Sequence, residues 1–362
     1  MEFVFQVPTK IIAGEECLVR HKELLAGLGK KALIVKSGSA EKNGALSDIR
    51  TAMDSIGIAY HICNNVSPNP TPQEVRDLQG YDPSYDFIVA VGGGSALDAA
   101  KGVAVLTVND IPAQALYEGN FKTAPLPMIA IPTTCGTGSE VTAVSVLTVG
   151  ETKKSFGNPG ILPKIAFLDP RYLKTLPRRV MLDTALDALS HNAEAYLILD
   201  SAPTEMVAEE AFRQFADCIA ALKSGEVNDE DRSRLLYIAT LGGIAIYAAG
   251  TSAVHAMGYP ITTLAGVPHG RACAYTLGEY VEFAYDARRA KVDKMCALLK
   301  VDGVSGFQQM LSQLMGDKPV FTSKELDKLT GICVAPAVAK PSAKKLTAAD
   351  VRILFGKAFG ER

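Results

Sequence analysis

The sequence has no CxxC pair, no run of about 20 uncharged apolar residues and no long basic stretch. Each absence excludes something. The seven cysteines (Cys17, Cys63, Cys135, Cys218, Cys273, Cys296 and Cys333) are odd in number and scattered, which fits reduced thiols in a cytosolic protein better than a disulfide framework. The missing apolar run argues against a membrane span. The first residues lack a basic segment followed by an apolar one, so no secretory signal is expected. A formal net charge of −2 argues against nucleic-acid and membrane-surface partners. A cytoplasmic protein is expected. Histidine is scarce as well, five in 362 residues, so where the histidines fall is informative.

A chain of this length is too long for one small core, and two domains are expected. The first half alternates strand-like and helix-like segments. Ala32–Val35, Phe87–Val91, Met128–Ile131 and Ile165–Leu168 are short apolar runs ending in glycine or polar turns, as in a parallel sheet covered on both faces. Helical spacing follows the second run, from Ala96 to Val105. After about Leu182, Asp183–Leu199, Thr204–Leu222 and Asp231–Tyr247 carry helical apolar periodicity, and the remainder reads mainly helical. The expectation is an α/β nucleotide-binding domain over residues 1–181 and an all-helical, metal-binding domain over 182–362.

Two loops end apolar strands. Gly92-Gly93-Gly94-Ser95 lets the backbone approach a phosphate at a helix N-terminus, although it is not GxGxxG and equally suits a tight turn. Pro132-Thr133-Thr134-Cys135-Gly136-Thr137-Gly138-Ser139-Glu140 offers hydroxyls and amides to a sugar, phosphate or nicotinamide amide, or is a capped turn. Two such loops at the carboxyl ends of strands in one sheet favour a nucleotide cleft.

Asp187 and His191 stand four apart, one face of a helix, and His255 and His269 follow in Gly- and Pro-punctuated stretches. One carboxylate and three imidazoles suit a divalent transition metal such as iron(II) or zinc. His21 and His61 have no acidic partner at ligand spacing and read as ordinary.

Together these residues resemble the iron-containing (group III) alcohol dehydrogenase family. Gly92–Ser95 with Asp98 and Lys101 is similar to its GGGSxxDxAK loop, and Pro132–Glu140 to its PTTxGTGSE loop. Asp187, His191, His255 and His269 fall on its metal-ligand positions, the last two in HAxxxP and PHG contexts. The resemblance spans nearly the whole chain from Pro8 and is weakest after about residue 300. It implies the dehydroquinate synthase-like fold, a metal (iron(II) ahead of zinc), and hydride transfer between NAD(P)(H) and a small primary alcohol or aldehyde. It also implies cofactor contacts from Gly92, Gly93, Gly94, Ser95, Asp98, Thr133, Thr134, Thr137 and Lys154, a substrate pocket lined by Val144, Ile246 and Tyr259, and a homodimer in which Phe3–Val7 is a candidate edge strand.

Three departures stand out. Tyr259 occupies a position where many members carry a further histidine, which makes a poorer proton relay, so the proton is expected to leave through water or ribose hydroxyls. The strand ending at Val35 is followed by Lys36-Ser37-Gly38-Ser39 rather than an aspartate, and loss of that carboxylate with Lys36 and Ser37 added points to NADP(H). Cys135 and Cys273 lie within or beside the implied site, either as small buried residues or as points of oxidation. The alternatives are a zinc-dependent polyol dehydrogenase, a dehydroquinate-synthase-like lyase (for which no basic cluster is evident), and a non-catalytic nucleotide-binding protein.

Overall fold

A computed structural model describes residues 3–78 and 84–360. The chain divides into two units, one from Val7 to Pro177 and the other from Arg178 onward together with the residues before Val7.

The first unit is built on six parallel strands in the order β1-β8-β5-β4-β2-β3, where β1 is Lys10–Ala13, β2 Lys31–Lys36, β3 Ala59–Ile62, β4 Phe87–Gly92, β5 Met128–Pro132 and β8 Ile165–Leu168. The apolar runs are continuous because both faces are covered. Ala32 and Ile34 of β2, with Phe87, Val89 and Val91 of β4, enter one buried cluster. Leu33 and Val35, with Ile88 and Ala90, enter the other. Successive side chains point to opposite faces, so a strand feeding two cores must be apolar at every position. The edge strands β1 and β3 have no fully buried residue. A separate antiparallel hairpin pairs β6 (Val144–Val149) with β7 (Thr152–Gly157).

The strand order reverses at β2: the chain continues to β3 on one side and crosses to β4 on the other. Lys36 pairs with Val91 and Gly92 with Pro132, so β2, β4 and β5 end side by side. In open α/β sheets this is where ligands bind.

The second unit is helical. Its helices include Arg178–Ile198, Ala202–Ser224, Asp229–Ala249, Ala253–Ala265, His269–Leu298 (broken at Arg288) and Ser323–Ala339. Caps set several starts. Asn228 and Asp231 form a capping box, which begins the third of these two residues before the apolar periodicity. No single helix among the described residues is long and apolar enough to cross a membrane.

Residues 3–8 form no strand within the chain and residues 3–6 group with the helical unit rather than with the sheet, Gln6 Nε2 donating to the Tyr247 hydroxyl at 3.4 Å. The change of texture falls at Pro177, a few residues before 182, because the first helix begins with the polar residues Arg178 and Arg179, which carry no apolar signal.

Candidate active site

The glycine loop follows β4 directly. Gly92 has φ +148°, and a Cβ there would lie 2.6 Å from Ser37 Oγ and 2.7 Å from Ala96 Cβ, so only glycine fits. At Gly93 and Gly94 a Cβ would press on Thr134 and overlap Thr137, so the glycines let the two loops abut. Gly93 caps the Gly94–Leu106 helix. Ser95 Oγ accepts from the Asn69 N–H at 3.0 Å. The Thr133 hydroxyl is buried without a hydrogen-bond partner, and its N–H donates to the Gly92 carbonyl at 2.9 Å.

Asp98 fastens these parts. Its Oδ1 accepts from Ser139 Oγ at 2.6 Å and its Oδ2 from the Val146 N–H at 3.0 Å. Lys101, completely buried, donates to Ser139 Oγ (2.6 Å), Thr142 Oγ1 (3.1 Å) and the Val144 carbonyl (2.7 Å), with Asp98 3.7 Å away. Burial lowers Lys101 to about 8, although Asp98 and Glu140 oppose the shift. Asp98 is thus engaged in joining the glycine helix, the threonine loop and β6, a role sequence reasoning did not assign to it.

Lys154 is exposed, its ammonium 4.8 Å from the Tyr117 ring centre. Burial raises Asp98, opposed first by the Lys101 charge and to a smaller extent by Lys153, the residue next to Lys154. Ser37 and Ser39 share a hydrogen bond of 2.8 Å. Lys36 does not project freely: it is buried, paired with Glu41 at 2.9 Å and hydrogen-bonded to Asn65.

In the helical unit, Asp187, His191 and Glu194 lie on one face of the Arg178–Ile198 helix at i, i+4 and i+7, all buried. Glu194 has a full set of partners. It accepts from the Ser252 N–H (3.0 Å) and hydroxyl (2.6 Å), from the His255 N–H (3.3 Å), and pairs with His255 Nδ1. The carboxylate therefore caps the Ala253–Ala265 helix at its positive end and, in the neutral His255 ring, holds the proton on Nδ1 and leaves the lone pair on Nε2.

That Nε2 lies 3.6 Å from Asp187 Oδ1, and both atoms are buried with no hydrogen-bond partner. His269 Nε2 is 4.0 Å from the same oxygen. His191 stacks on His255, centroids 4.4 Å apart and planes 15° apart. Asp187, His255, His269 and Cys273 each offer a donor atom, all within 4.8 Å of one another. Donors around a transition metal stand roughly 3–4 Å apart, so two orphaned lone pairs and a nearby imidazole fit an ion.

His269 opens the His269–Leu298 helix, and Gly270 determines how close it comes. A Cβ at Gly270 would overlap the Asp183 carbonyl oxygen and lie 2.7 Å from Asp187 Cβ. Arg271 secures the contact, donating to Asp183 at 2.5 Å.

The electrostatics match. Burial alone would raise Asp187, but His191, His255 and His269 hold it well below the usual carboxylate range. Glu194, against the same penalty, is lowered to about 2, chiefly by His255. Burial opposes protonation of His255, yet Cys273, Glu194 and Asp187 raise its pKa. Tyr259 stacks on His269 at 5.3 Å, and burial pushes its phenol further up, so it stays protonated near neutral pH. Ile246 is partly buried on the Asp229–Ala249 helix, and Val144 at the start of β6 is 43% exposed.

Sequence reasoning missed Glu194 and Lys340. Glu194 was findable, because it lies one turn beyond His191 on the face of Asp187. Lys340, which donates to Thr251 Oγ1 at 2.5 Å and lies 6.0 Å from the Tyr259 ring centre, carried no local signal.

Comparison with known proteins agrees with this geometry. Residues 8–170 match the family model described as iron-containing alcohol dehydrogenase, and residues 181–324 match that family's C-terminal model. The chain is 33% identical to the long-chain-alcohol dehydrogenase 1 of Geobacillus thermodenitrificans over 68% of its own length and 65% of that enzyme's. It is 33% identical to the 1,3-propanediol dehydrogenase of Citrobacter freundii, covering 81% of this chain and 77% of the relative. The crystal structure of an iron-containing alcohol dehydrogenase from Thermotoga maritima superposes with a TM-score of 0.91 at 33% identity, covering 99% of this chain and 100% of that one. With matching models over both units and relatives aligned along most of its length, the chain belongs to the iron-containing alcohol dehydrogenase family.

Proposed function

We propose that the protein is a metal-dependent alcohol dehydrogenase, or aldehyde reductase, that moves a hydride between NAD(P)(H) and a small primary alcohol or aldehyde. The observation that carries this reading is the pair of orphaned buried donors, Asp187 Oδ1 and His255 Nε2, converging beside His269. Asp187, His191, His255 and His269 would hold a divalent ion, iron(II) ahead of zinc. The bound ion would polarise a substrate oxygen as a Lewis acid, and the nicotinamide would exchange the hydride.

The protein's own residues do the rest. Glu194 keeps the His255 proton on Nδ1, so that Nε2 faces inward. Glycines 92–94 and Ser95 offer a close backbone approach to the pyrophosphate. Thr133, with a buried unpartnered hydroxyl, is the group available to a nicotinamide amide, and Thr134 and Thr137 shape the adjoining loop. Asp98 and Lys101 act by holding that loop in place. Lys154, one position from Lys153, is assigned to the nicotinamide-side ribose. Tyr259 with Ile246 and Val144 gives the substrate a largely apolar lining. Because Tyr259 keeps its proton, the substrate hydroxyl proton leaves through water or a ribose hydroxyl.

NADP(H) remains the cofactor we favour. Lys36 is already paired with Glu41, so that preference rests on the missing carboxylate after β2 and on the Ser37 and Ser39 hydroxyls. The exposed Phe3, Val4 and Val7 are the surface we assign to a homodimer. Seven free cysteines are in keeping with a cytoplasmic setting.

The test is metal analysis combined with oxidation of NADH and NADPH on a panel of short aldehydes. We expect about one metal per chain, turnover that needs it, and a kcat/KM higher with NADPH. His269→Ala should abolish turnover, and near-normal activity in a metal-analysed sample of that variant would refute the metal assignment.

A further inference from the structure

Lys340 is placed by its own sequence. Pro341 disfavours a helical conformation at the residue before it, so the Ser323–Ala339 helix ends there and Lys340 is extended, with φ −76° and ψ 153°. Its N–H still donates to the Pro336 carbonyl at 3.2 Å, which fixes where the side chain leaves the backbone. The Ser323–Ala339 helix packs on the Ala253–Ala265 helix. The ammonium donates to Thr251 Oγ1 at 2.5 Å and lies 6.0 Å from the centre of the Tyr259 ring, which itself stacks on His269.

That ammonium is incompletely matched. It has three protons to donate, and Thr251 is its one side-chain acceptor among the described residues, with no carboxylate there at ion-pair distance. The carboxylate whose charge it feels is Glu194, and both Glu194 oxygens are already taken by Ser252 and His255. The field is mutual, since Lys340 also lowers Glu194. Burial pushes the lysine pKa down, opposed by Glu194 and Cys273. Holding a partly buried cation without an ion pair costs stability, and a bound anion recovers it.

We propose that Lys340 sets the substrate specificity, and that the preferred substrate is a short aldehyde, or the corresponding primary alcohol, carrying a carboxylate at its far end. The reacting oxygen points toward Asp187, His255 and His269, the carboxylate rests on the Lys340 ammonium, and the apolar surface of Tyr259 and Ile246 suits the methylenes between. The substrate is short because Lys340, Tyr259 and His269 follow one another in direct succession. This rests on the reductase reading above and narrows its substrate class. In the reduction the aldehyde carbon takes the hydride of NAD(P)H and its oxygen takes a proton from water. The carboxylate leaves unchanged, so Lys340 binds and orients without entering the chemistry.

The experiment uses the full, metal-loaded chain and compares 4-oxobutanoate with pentanal, in which an ethyl group replaces the carboxylate. Wild type should favour 4-oxobutanoate by roughly tenfold or more in kcat/KM. Lys340→Met should bring that ratio to about one, through a higher KM for 4-oxobutanoate, and Lys340→Arg should restore part of it. Saturation-transfer NMR on the metal-free protein gives a readout apart from turnover: butanoate should bind wild type and not Lys340→Met. A wild type that reduces both aldehydes equally well overturns the assignment and leaves the reductase reading standing. So does a ratio that survives Lys340→Met, as it must if the lysine only supports Thr251 and both activities fall alike, or butanoate binding that is the same in the two proteins. A wild type inactive on every aldehyde with either cofactor overturns the reductase reading, and this inference with it.

Discussion

Glu194 is the residue on which the geometry of the proposed metal centre depends most, although it is not among the proposed donors. A histidine ligand must present a lone pair, and which nitrogen carries the proton is set by what the other nitrogen bonds. Here that bond is Glu194 to His255 Nδ1, and the same carboxylate caps the helix that carries His255. Glu194→Gln keeps the size and removes the charge, so metal affinity should fall roughly 10–100-fold, read by competition with a chromogenic chelator. An affinity within twofold of wild type would mean that the carboxylate only caps the helix. The same residue has a pH signature. Its carboxyl is lowered to about 2 in the fold, against roughly 4.3 in an unfolded chain. The stability it supplies is therefore complete above the unfolded value and is lost as pH falls toward about 2. The urea midpoint of the metal-free protein should drop less steeply on acidification in Glu194→Gln than in wild type.

Among the elements, close helix contact is what brings His269 to Asp187, and Gly270 permits it. Gly270→Ala places a methyl group into the Asp183 carbonyl, and the helix must move away from Asp187. A cost of about 1–3 kcal/mol in stability is expected, together with weakened metal binding. Gly331→Ala is the matched control, a helical glycine with nothing within 4 Å of an added Cβ. It should be neutral or gain up to ~1 kcal/mol. If both variants bind metal and melt alike, helix approach at Gly270 does not position the site. The elements also divide cleanly into those legible in the sequence and those that were not. β2, β4, β5 and β8 announced themselves because strands buried on both faces must be apolar throughout. β1 and β3 are short edge strands without a fully buried residue, and β7 (Thr-Lys-Lys-Ser-Phe-Gly) buries only Phe156, so none offered an apolar run. The motif glycines and threonines were legible as loops, but the Asp98–Lys101 fastening was not. It joins residues about 40 positions apart through hydroxyls whose partners no local spacing reveals.

For the whole molecule, the donors proposed for the metal centre come from three helices, Arg178–Ile198, Ala253–Ala265 and His269–Leu298, and none, among the described residues, from the Val7–Pro177 unit. An ion there would tie together chain segments from Asp187 to His269, while the glycine and threonine loops belong wholly to the other unit. The two ligands should thus stabilise different parts of the chain. A ligand that binds only the folded form adds about 2.7 kcal/mol at a hundredfold excess over its Kd, and that gain appears first in the elements that hold it. Hydrogen exchange can read this element by element. Stripping the metal should speed exchange in the three donor helices and leave β2, β4 and β5 unchanged. Adding NADPH to the metal-free protein should slow exchange at the Gly94–Leu106 helix and the Thr133–Ser139 loop, with little change at His255 and His269. Equal loosening of both units on chelation would place the ion's grip outside these helices. Protection by NADPH confined to the helical unit would move the nucleotide away from the loops to which it is assigned.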